Sequence, residues 1–220
     1  MDKQIISLLN FIDNSPCNFY AVNTAKKMLE ENGFTEKLLW NEIEAKPGEK
    51  FYFTKNDSAI FAFTVGKKPI TETGLKIVAA HSDSPCFRVK PHAEMLCEGG
   101  IVKLNTEVYG GPVLYTWFDR PLSLAGRVIV RNPQNPARPI TKLIDFASPV
   151  LIIPHLAIHF NRNVNAGNPL SKQKDMLPIA AIVSDSMSKN NFLIDQIKER
   201  LEIADSKDIL DFDLMLYNCQ

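Results

Sequence analysis

The pattern of apolar, glycine and proline residues changes after Pro91, and this change most constrains how the chain can fold. Before it, apolar residues recur at helical spacing in residues 2–12 and 19–31, and apolar runs flank a polar turn within residues 51–65. After it, glycine and proline pairs separate short runs of branched residues. The helical spacing and the hairpin pattern before Pro91 predict an α/β domain. The short strand-like runs after Pro91, separated by glycine and proline, predict a β-rich insertion that interrupts this domain.

The part after Pro91 contains strand, loop and helix patterns in turn. Residues 102–108 and 124–130 are short runs typical of strands, and residues 161–175 are polar enough to predict a long surface loop. Residues 192–201 have helical spacing, and residues 212–217 predict a final strand.

The apolar run 75–80 follows Gly74 and predicts a strand that ends at His81. Ligands of open α/β sheets bind beyond the carboxyl ends of the strands, so a histidine at this position is well placed for chemistry. Asp83 lies two residues further on, and alternating residues at a strand end point to the same side. A histidine can then bind a metal while the aspartate orients its ring, although such a pair alone is more often structural.

The charge balance indicates whether the protein binds nucleic acid or membranes, and the cysteines indicate its cellular compartment. The chain has 25 basic and 25 acidic side chains, so no long-range field would attract nucleic acid or anionic lipid. Its first residues match neither a signal peptide nor a membrane span. The four cysteines form no C-x-x-C pair and are interpreted as reduced thiols. We therefore expect a cytoplasmic protein that binds neither nucleic acid nor membrane.

The segment around His81 resembles a motif of a known peptidase family. Residues 81–91 read HSDSPCFRVKP and are similar to the H-T-D-S-P-C-L-R-V-K-P segment of the M18 family, the aspartyl aminopeptidases. Further blocks resemble the family in the same order. These blocks are residues 15–21, residues 107–111, residues 116–128 and residues 154–162.

The resemblance covers the first half of a family member and implies a fold and an assembly. It implies a zinc-peptidase-type α/β domain interrupted by a β-rich dimerisation domain. In this sequence, residues 1–91 match the first part of the peptidase domain, residues 92–203 the dimerisation domain, and residues 204–220 the return into the peptidase domain. Family members form homo-oligomers, namely tetrahedral dodecamers.

The resemblance also implies a zinc-dependent aminopeptidase that releases N-terminal, acidic residues from peptides. The family uses two metal ions bridged by an aspartate and a water. His81 matches a zinc ligand, and Asp83 matches the catalytic acid that orients the ligand sphere. His159 matches a histidine that binds substrate in a neighbouring subunit's active site. The structural alternatives are a core histidine for His81 and a plain interface contact for His159.

Three further features of the second half of the sequence are interpreted as structural and not as catalytic. The aromatic residues Trp117 and Phe118 are expected in the core, because aromatic side chains in β-rich segments usually pack there. Asp119 and Arg120 are interpreted as an ion pair, either at an interface or in solvent, and His155 is interpreted as a packing residue.

The sequence departs from the family pattern near its end. Asn218 stands where the family has the bridging aspartate, and a neutral amide is a poor bridge between two dications. The family's paired glutamates, a further acidic ligand and a late histidine lie beyond Gln220. We therefore expect a truncated chain that is inactive alone and associates with other molecules.

Two alternatives belong to other functional classes. One is a non-catalytic remnant or interaction module that retains the dimerisation domain. The other is a hydrolase with Ser82 or Ser84 as nucleophile, although the sequence lacks a G-x-S-x-G elbow around either serine.

Overall fold

The computed structural model describes residues 2–183 and 191–220, which form two compact units that meet in sequence between Ser84 and Pro85. The expected mixed α/β class is confirmed, with β-structure predominating in the second unit. Within the described ranges, no helix combines the length and the apolar character that a membrane crossing requires.

The first unit contains three helices and a three-stranded sheet. The sheet order is β1-β2-β3, with β1 parallel and β3 antiparallel to β2. The elements are α1 (Lys3–Asp13), α2 (Asn18–Glu31), β1 (Thr35–Glu36), β2 (Lys50–Lys55), β3 (Ala59–Thr64) and α3 (Ile70–Thr73).

Local sequence signals explain the helices and the hairpin that were predicted here. The Asp2 side chain caps α1 by accepting a hydrogen bond from the backbone N–H of Gln4 at 3.0 Å. Between β2 and β3, Asn56 and Asp57 both have positive φ angles, at 53° and 54°. Asparagine and aspartate tolerate this left-handed conformation better than most residues do, so the turn matches the chain reversal.

The predicted strand over residues 75–80 is wrong. The structure has no regular secondary structure there, and every residue from 75 to 80 is exposed. The run has the composition of a strand, but a strand forms only where a neighbour accepts its backbone hydrogen bonds. Among the described residues, β1, β2 and β3 pair only with one another in this unit.

The first unit buries few large apolar side chains. Its buried apolar residues are Phe19, Val22, Phe51 and Tyr52. By contrast, none of the residues of α1 is buried, although its apolar positions follow the helical period. The unit therefore has a small core and a large exposed apolar surface.

The second unit is built on one antiparallel sheet of six strands in the order β7-β6-β9-β4-β5-β8. A helix, α4, packs its buried residues Leu193 and Ile197 into the same core cluster as the sheet. The elements are β4 (Cys86–Leu96), β5 (Ile101–Tyr109), β6 (Leu122–Val130), β7 (Ile140–Asp145), β8 (Ile179–Ile182), α4 (Phe192–Arg200) and β9 (Ile209–Asn218).

The two compact units divide the chain differently from the three sequence-based segments. Strand β4 runs through Pro91, with a register shift between Val89 and Glu94 that accommodates the proline at an irregular point of the ladder. Strand β9, within residues 204–220, pairs with β4 and β6 inside the second unit. The assignment of 1–91, 92–203 and 204–220 to peptidase and dimerisation domains stays a prediction.

Strands β6 and β9 approach each other so closely that one position requires glycine. Gly126 pairs with Leu214, and a Cβ atom at Gly126 would lie 2.0 Å from the Asp213 carbonyl oxygen. That distance is impossible for non-bonded atoms, and the atom that blocks the space belongs to the backbone, which cannot move aside alone. The pairing of β6 with β9 in this register therefore requires a residue without a side chain at position 126.

We predict that Gly126→Ala lowers the free energy of unfolding of the second unit by about 3 kcal/mol, because β6 and β9 must move apart. Thermal unfolding followed by circular dichroism would measure the loss. Gly111→Ala is the matched control, since a Cβ atom there meets nothing within 4 Å. Equal melting temperatures for the two variants would refute the close approach.

Tyr217 ties β9 to the end of β7. Its hydroxyl donates a hydrogen bond to Asp145 Oδ1 at 2.6 Å. Burial, followed by this hydrogen bond to a carboxylate, raises the pKa of the Tyr217 phenol above its ordinary value. The folded state thus favours the neutral phenol, so this contribution to stability is complete below the unfolded pKa of about 10 and is lost as the pH rises further.

We predict that Tyr217→Phe makes the second unit's melting temperature fall less steeply above pH 10 than it does in the unmodified chain. Melting curves between pH 8 and 11 would show the difference in slope. Tyr52→Phe, the equivalent change in the first unit, should leave the slope of the second unit unchanged. The explanation fails if Tyr217→Phe and the unmodified chain lose stability in parallel.

Candidate active-site segment

His81 and Asp83 lie in contact, as the sequence predicts for a metal ligand and its orienting acid. His81 Nδ1 lies 3.1 Å from Asp83 Oδ1, and the His81 side chain is 92% exposed while that of Asp83 is 34% exposed. When Nδ1 donates its proton to the carboxylate, the lone pair of the neutral ring is on Nε2. The pair then presents Nε2 to solvent as a potential metal ligand.

The hairpin positions this pair, in place of the expected strand. Ser82, between the two residues, donates a hydrogen bond from Oγ to the backbone carbonyl of Ser58 at 2.8 Å. Ser58 directly precedes β3, so the β2–β3 turn anchors the segment. The Ser82 hydroxyl proton points to a backbone carbonyl, which cannot act as a general base, and this geometry disfavours Ser82 as a nucleophile.

The His81 and Asp83 pair fits one part of a zinc site. A zinc ion in a protein takes three or four side-chain ligands. No cluster of three or more histidine, cysteine, aspartate or glutamate residues with metal-binding geometry occurs in residues 2–183 or 191–220. The roles of His81 as a zinc ligand and of Asp83 as its orienting carboxylate therefore stay predictions.

Asn218 ends β9 in the second unit. It pairs with Leu122 of β6, and its side-chain Nδ2 donates a hydrogen bond to the carbonyl of Gln220 at 2.8 Å. Its correspondence to a bridging ligand stays a prediction. The position itself is a strand end, as the sequence pattern indicated.

His159 lies in an exposed turn of the second unit. Three apolar residues in or next to that turn, Leu156, Ile158 and Phe160, are also exposed. A short segment that shows several apolar side chains to solvent is typical of an assembly surface. The substrate-binding role of His159 in a neighbouring subunit stays a prediction.

The ring of His155 packs against Phe118 in a T-shaped contact with centroids 4.7 Å apart, as the interpretation as a packing residue expects. In addition, the backbone N–H of His155 donates to Asp119 Oδ1 at 3.0 Å. Among the described residues no ion pair joins Asp119 to Arg120, so a solvated pair does not form, and a pair at an interface stays a prediction. Asp119 has a positive φ of 54°, and its carboxylate satisfies the backbone of the His155 segment.

A pocket of about 360 Å³ lies beside this histidine and contains Lys103, Lys174 and Asn161 among its walls. Sequence reasoning missed it. Lys103 comes from β5 and Lys174 from the long loop, and their meeting depends on how the loop packs across the sheet. The adjacent basic and aromatic residues carry no periodic signal that could have revealed the pocket.

The Ser82 anchor leads to a testable expectation. Ser82→Ala removes the hydrogen bond to Ser58, which is worth about 1 kcal/mol, so backbone amides of residues 80–84 should exchange about fivefold faster. Hydrogen exchange with mass spectrometry would detect the change. Ser84→Ala, a substitution of the exposed serine two residues on, is the control. Unchanged exchange in Ser82→Ala would show that the hairpin does not hold the segment.

Comparison with protein families and curated relatives supports the resemblance noted in the sequence. The family described as Peptidase M18, aminopeptidase I zinc metalloprotease, matches residues 11–220. "Probable M18 family aminopeptidase 2" of Clostridium novyi is 50% identical over 210 residues, covering 96% of this chain and 48% of the relative. The protein of the same name from Clostridium acetobutylicum is 49% identical over 210 residues, with coverage of 96% and 48%.

Solved structures show the same fold. The Ape4 chain in the cryo-EM structure of the Ape4 and Nbr1 complex superposes with a TM-score of 0.88 at 30% identity, covering 98% of this chain and 44% of that one. The S. cerevisiae mApe1 dodecamer gives a TM-score of 0.81 at 20% identity, covering 99% and 48%. The chain thus spans about half the length of the relatives it matches.

Proposed function

Because this chain belongs to the M18 family of zinc metallo-aminopeptidases, we propose that it contributes the N-terminal part of an enzyme that releases N-terminal, acidic residues from peptides. The contact between His81 and Asp83 is the observation that carries the proposal. An exposed imidazole whose Nδ1 faces a carboxylate is the form in which histidine binds zinc. The preference for acidic residues is supported by the resemblance of residues 81–91 alone.

The residues of this chain would hold and orient part of the metal site. Zinc, when bound, supplies a Lewis acid that lowers the pKa of a water and polarises the peptide carbonyl. With Nδ1–H of His81 donating a hydrogen bond to Asp83, the ring would be held in the tautomer whose Nε2 lone pair is available to a metal. The Ser82 hydrogen bond to Ser58 holds the backbone between the two residues and would help to orient the ligand.

The remaining ligands of the site would come from the half of the family's length that the chain does not span. The chain matches 48% of the Clostridium novyi relative. One histidine with its carboxylate cannot hold a catalytic zinc ion, which needs three protein ligands. We therefore expect the chain alone to be inactive and to act when the other half is present.

Homo-oligomer formation through the second unit is part of the same proposal. The exposed apolar turn around His159 supports it, and so does the likeness to S. cerevisiae mApe1, whose solved structure is a dodecamer. In such an assembly His159 would reach the substrate site of a neighbouring subunit. We infer a cytoplasmic location from the four cysteines, Cys17, Cys86, Cys97 and Cys219, none of which forms a disulfide among the described residues.

The test combines this chain with the second half of the Clostridium novyi relative, produced as a separate polypeptide. We expect stoichiometric zinc and hydrolysis of glutamyl-p-nitroanilide only when both halves are present. Asp83→Asn should weaken zinc affinity about tenfold in the combined protein, because the carboxylate no longer fixes the His81 ring. Zinc affinity is measured by competition with a chromogenic chelator, independently of turnover.

His92→Gln provides the matched control, since His92 lies on β4 in the second unit and no metal role is proposed for it. Loss of zinc in His92→Gln but not in His81→Gln would contradict the assignment. The alternative of a non-catalytic remnant predicts that the combined halves bind no zinc and release no product.

A further inference from the structure

We propose that the pocket beside His155 binds a carboxylate attached to an apolar side chain, as in an N-acylated amino acid or the last residue of a peptide. Basic and amide side chains form one part of its wall, and aromatic and aliphatic side chains form the other. The inference concerns the second unit alone and does not depend on the zinc chemistry of the proposed function. This cavity is called the carboxylate pocket below.

The carboxylate pocket is lined by β5, by the long loop and by the residues around His155. Its volume of about 360 Å³ lies within the range of roughly 300–1,000 Å³ that is usual for small-molecule sites. Strand β5 contributes Lys103, and the long loop contributes Asn161 near its start and Lys174 near its end. Segments distant in the sequence thus bring three nitrogen donors to one cavity.

The three donors have capacity left for a ligand. Among the described residues, neither Lys103 nor Lys174 forms an ion pair. The side-chain oxygen of Asn161 accepts a hydrogen bond from Asn168 Nδ2 at 3.4 Å, which leaves the Nδ2 hydrogens of Asn161 for another acceptor. Ammonium and amide N–H groups both donate to carboxylate oxygens, and hydrogen bonds between charged groups are the stronger kind.

The charge of the lining favours a ligand with a single negative charge. The two lysines contribute two positive charges and Asp175 contributes one negative charge, so one positive charge remains. Asp175 is already engaged, because its Oδ2 accepts the backbone N–H of Ser171 at 2.7 Å. A carboxylate neutralises the remaining positive charge, whereas a phosphate group carries nearly two negative charges and would be repelled by Asp175.

The apolar part of the wall determines what is attached to the carboxylate. Its side chains are those of Phe118, Pro154, Leu156, Phe160, Leu170 and Leu177. Leu177 is buried, whereas Phe160 is 80% exposed, so a ligand side chain that contacts Phe160 covers apolar surface that otherwise faces water. Because covering this surface is favourable, the pocket should prefer an aromatic or branched chain to a short one.

The test measures binding of N-acetylphenylalanine to the full-length protein by isothermal titration calorimetry, after metal has been removed by chelation and dialysis. The acetyl group blocks the amine that an aminopeptidase requires, so the probe is not a substrate. We expect saturable binding. N-acetylphenylalaninamide lacks the charge and N-acetylglycine lacks the apolar chain, and each should bind at least about tenfold more weakly.

Two further ligands separate the sources of this chemistry. An acetylated tetrapeptide that ends in phenylalanine should match N-acetylphenylalanine if the pocket takes a peptide C-terminus. It should bind at least about tenfold more weakly if the pocket takes only a free amino-acid derivative, because the extra residues then clash with the wall. Phenyl phosphate should also bind at least about tenfold more weakly than the acid, and tighter binding would overturn the assignment to a carboxylate.

Variants test the two parts of the wall separately. Lys103→Met and Lys174→Met should each weaken binding of N-acetylphenylalanine about tenfold, because each removes one charge-assisted hydrogen bond. Lys142→Met is the matched control, since it removes the same charge from β7 outside the pocket. Phe160→Ala should weaken binding of N-acetylphenylalanine about fivefold and leave that of N-acetylglycine unchanged. Equal melting temperatures would show that all four variants fold.

The inference is overturned if N-acetylphenylalanine does not bind, if its amide binds equally well, or if both pocket lysine variants bind as Lys142→Met does. Binding that appears only when zinc is restored would place the ligand at the zinc site and would also overturn it. Binding to the metal-free protein without any peptidase activity of the zinc-loaded protein would support the carboxylate pocket and refute only the catalytic proposal.

Discussion

Strands β6 and β9 pair along all nine residues of β6, and this ladder determines the rest of the second unit. It places the last strand of the chain between β6 and β4, so that segments distant in sequence meet in one sheet. Gly126 permits the approach, because any side chain there would meet the Asp213 backbone. Across the adjacent strand, Arg88 Nε lies 2.7 Å from the Asp213 carboxylate, which links β4 to the same centre. The buried core cluster then forms on the sheet face that carries Leu124, Val128, Leu214 and Leu216.

The two units differ in how much of their own apolar surface they bury. This difference bears on function. The second unit has an extensive buried core and displays the His159 turn on its surface. The first unit holds His81 and Asp83 next to a hairpin, but much of its apolar surface remains in solvent. The segment proposed to bind metal thus lies in the unit that buries less of its apolar surface.

Much of the fold could be predicted from local patterns. The helices α1, α2 and α4, the β2–β3 hairpin and the final strand are confirmed, because each depends on period, caps or turn residues within a few positions. Such patterns could not reveal that residues 75–80 form no strand. The run has the composition of a strand, but no neighbouring strand pairs with it. The contact of His155 with Asp119 was also hidden, because 36 residues separate two groups that meet only through the packing of the loop.

By itself, the sequence determined the family, the mixed α/β class and the closeness of His81 to Asp83, since these follow from ordered motifs and from a spacing of two residues. Only the tertiary structure decided what holds that pair, which is the hydrogen bond from Ser82 to Ser58 and not a strand. It also decided that Asp119 supports the His155 backbone, and that β9 lies between β6 and β4. The physical reason is that backbone hydrogen bonds and burial depend on partners distant in the chain, which local composition does not specify.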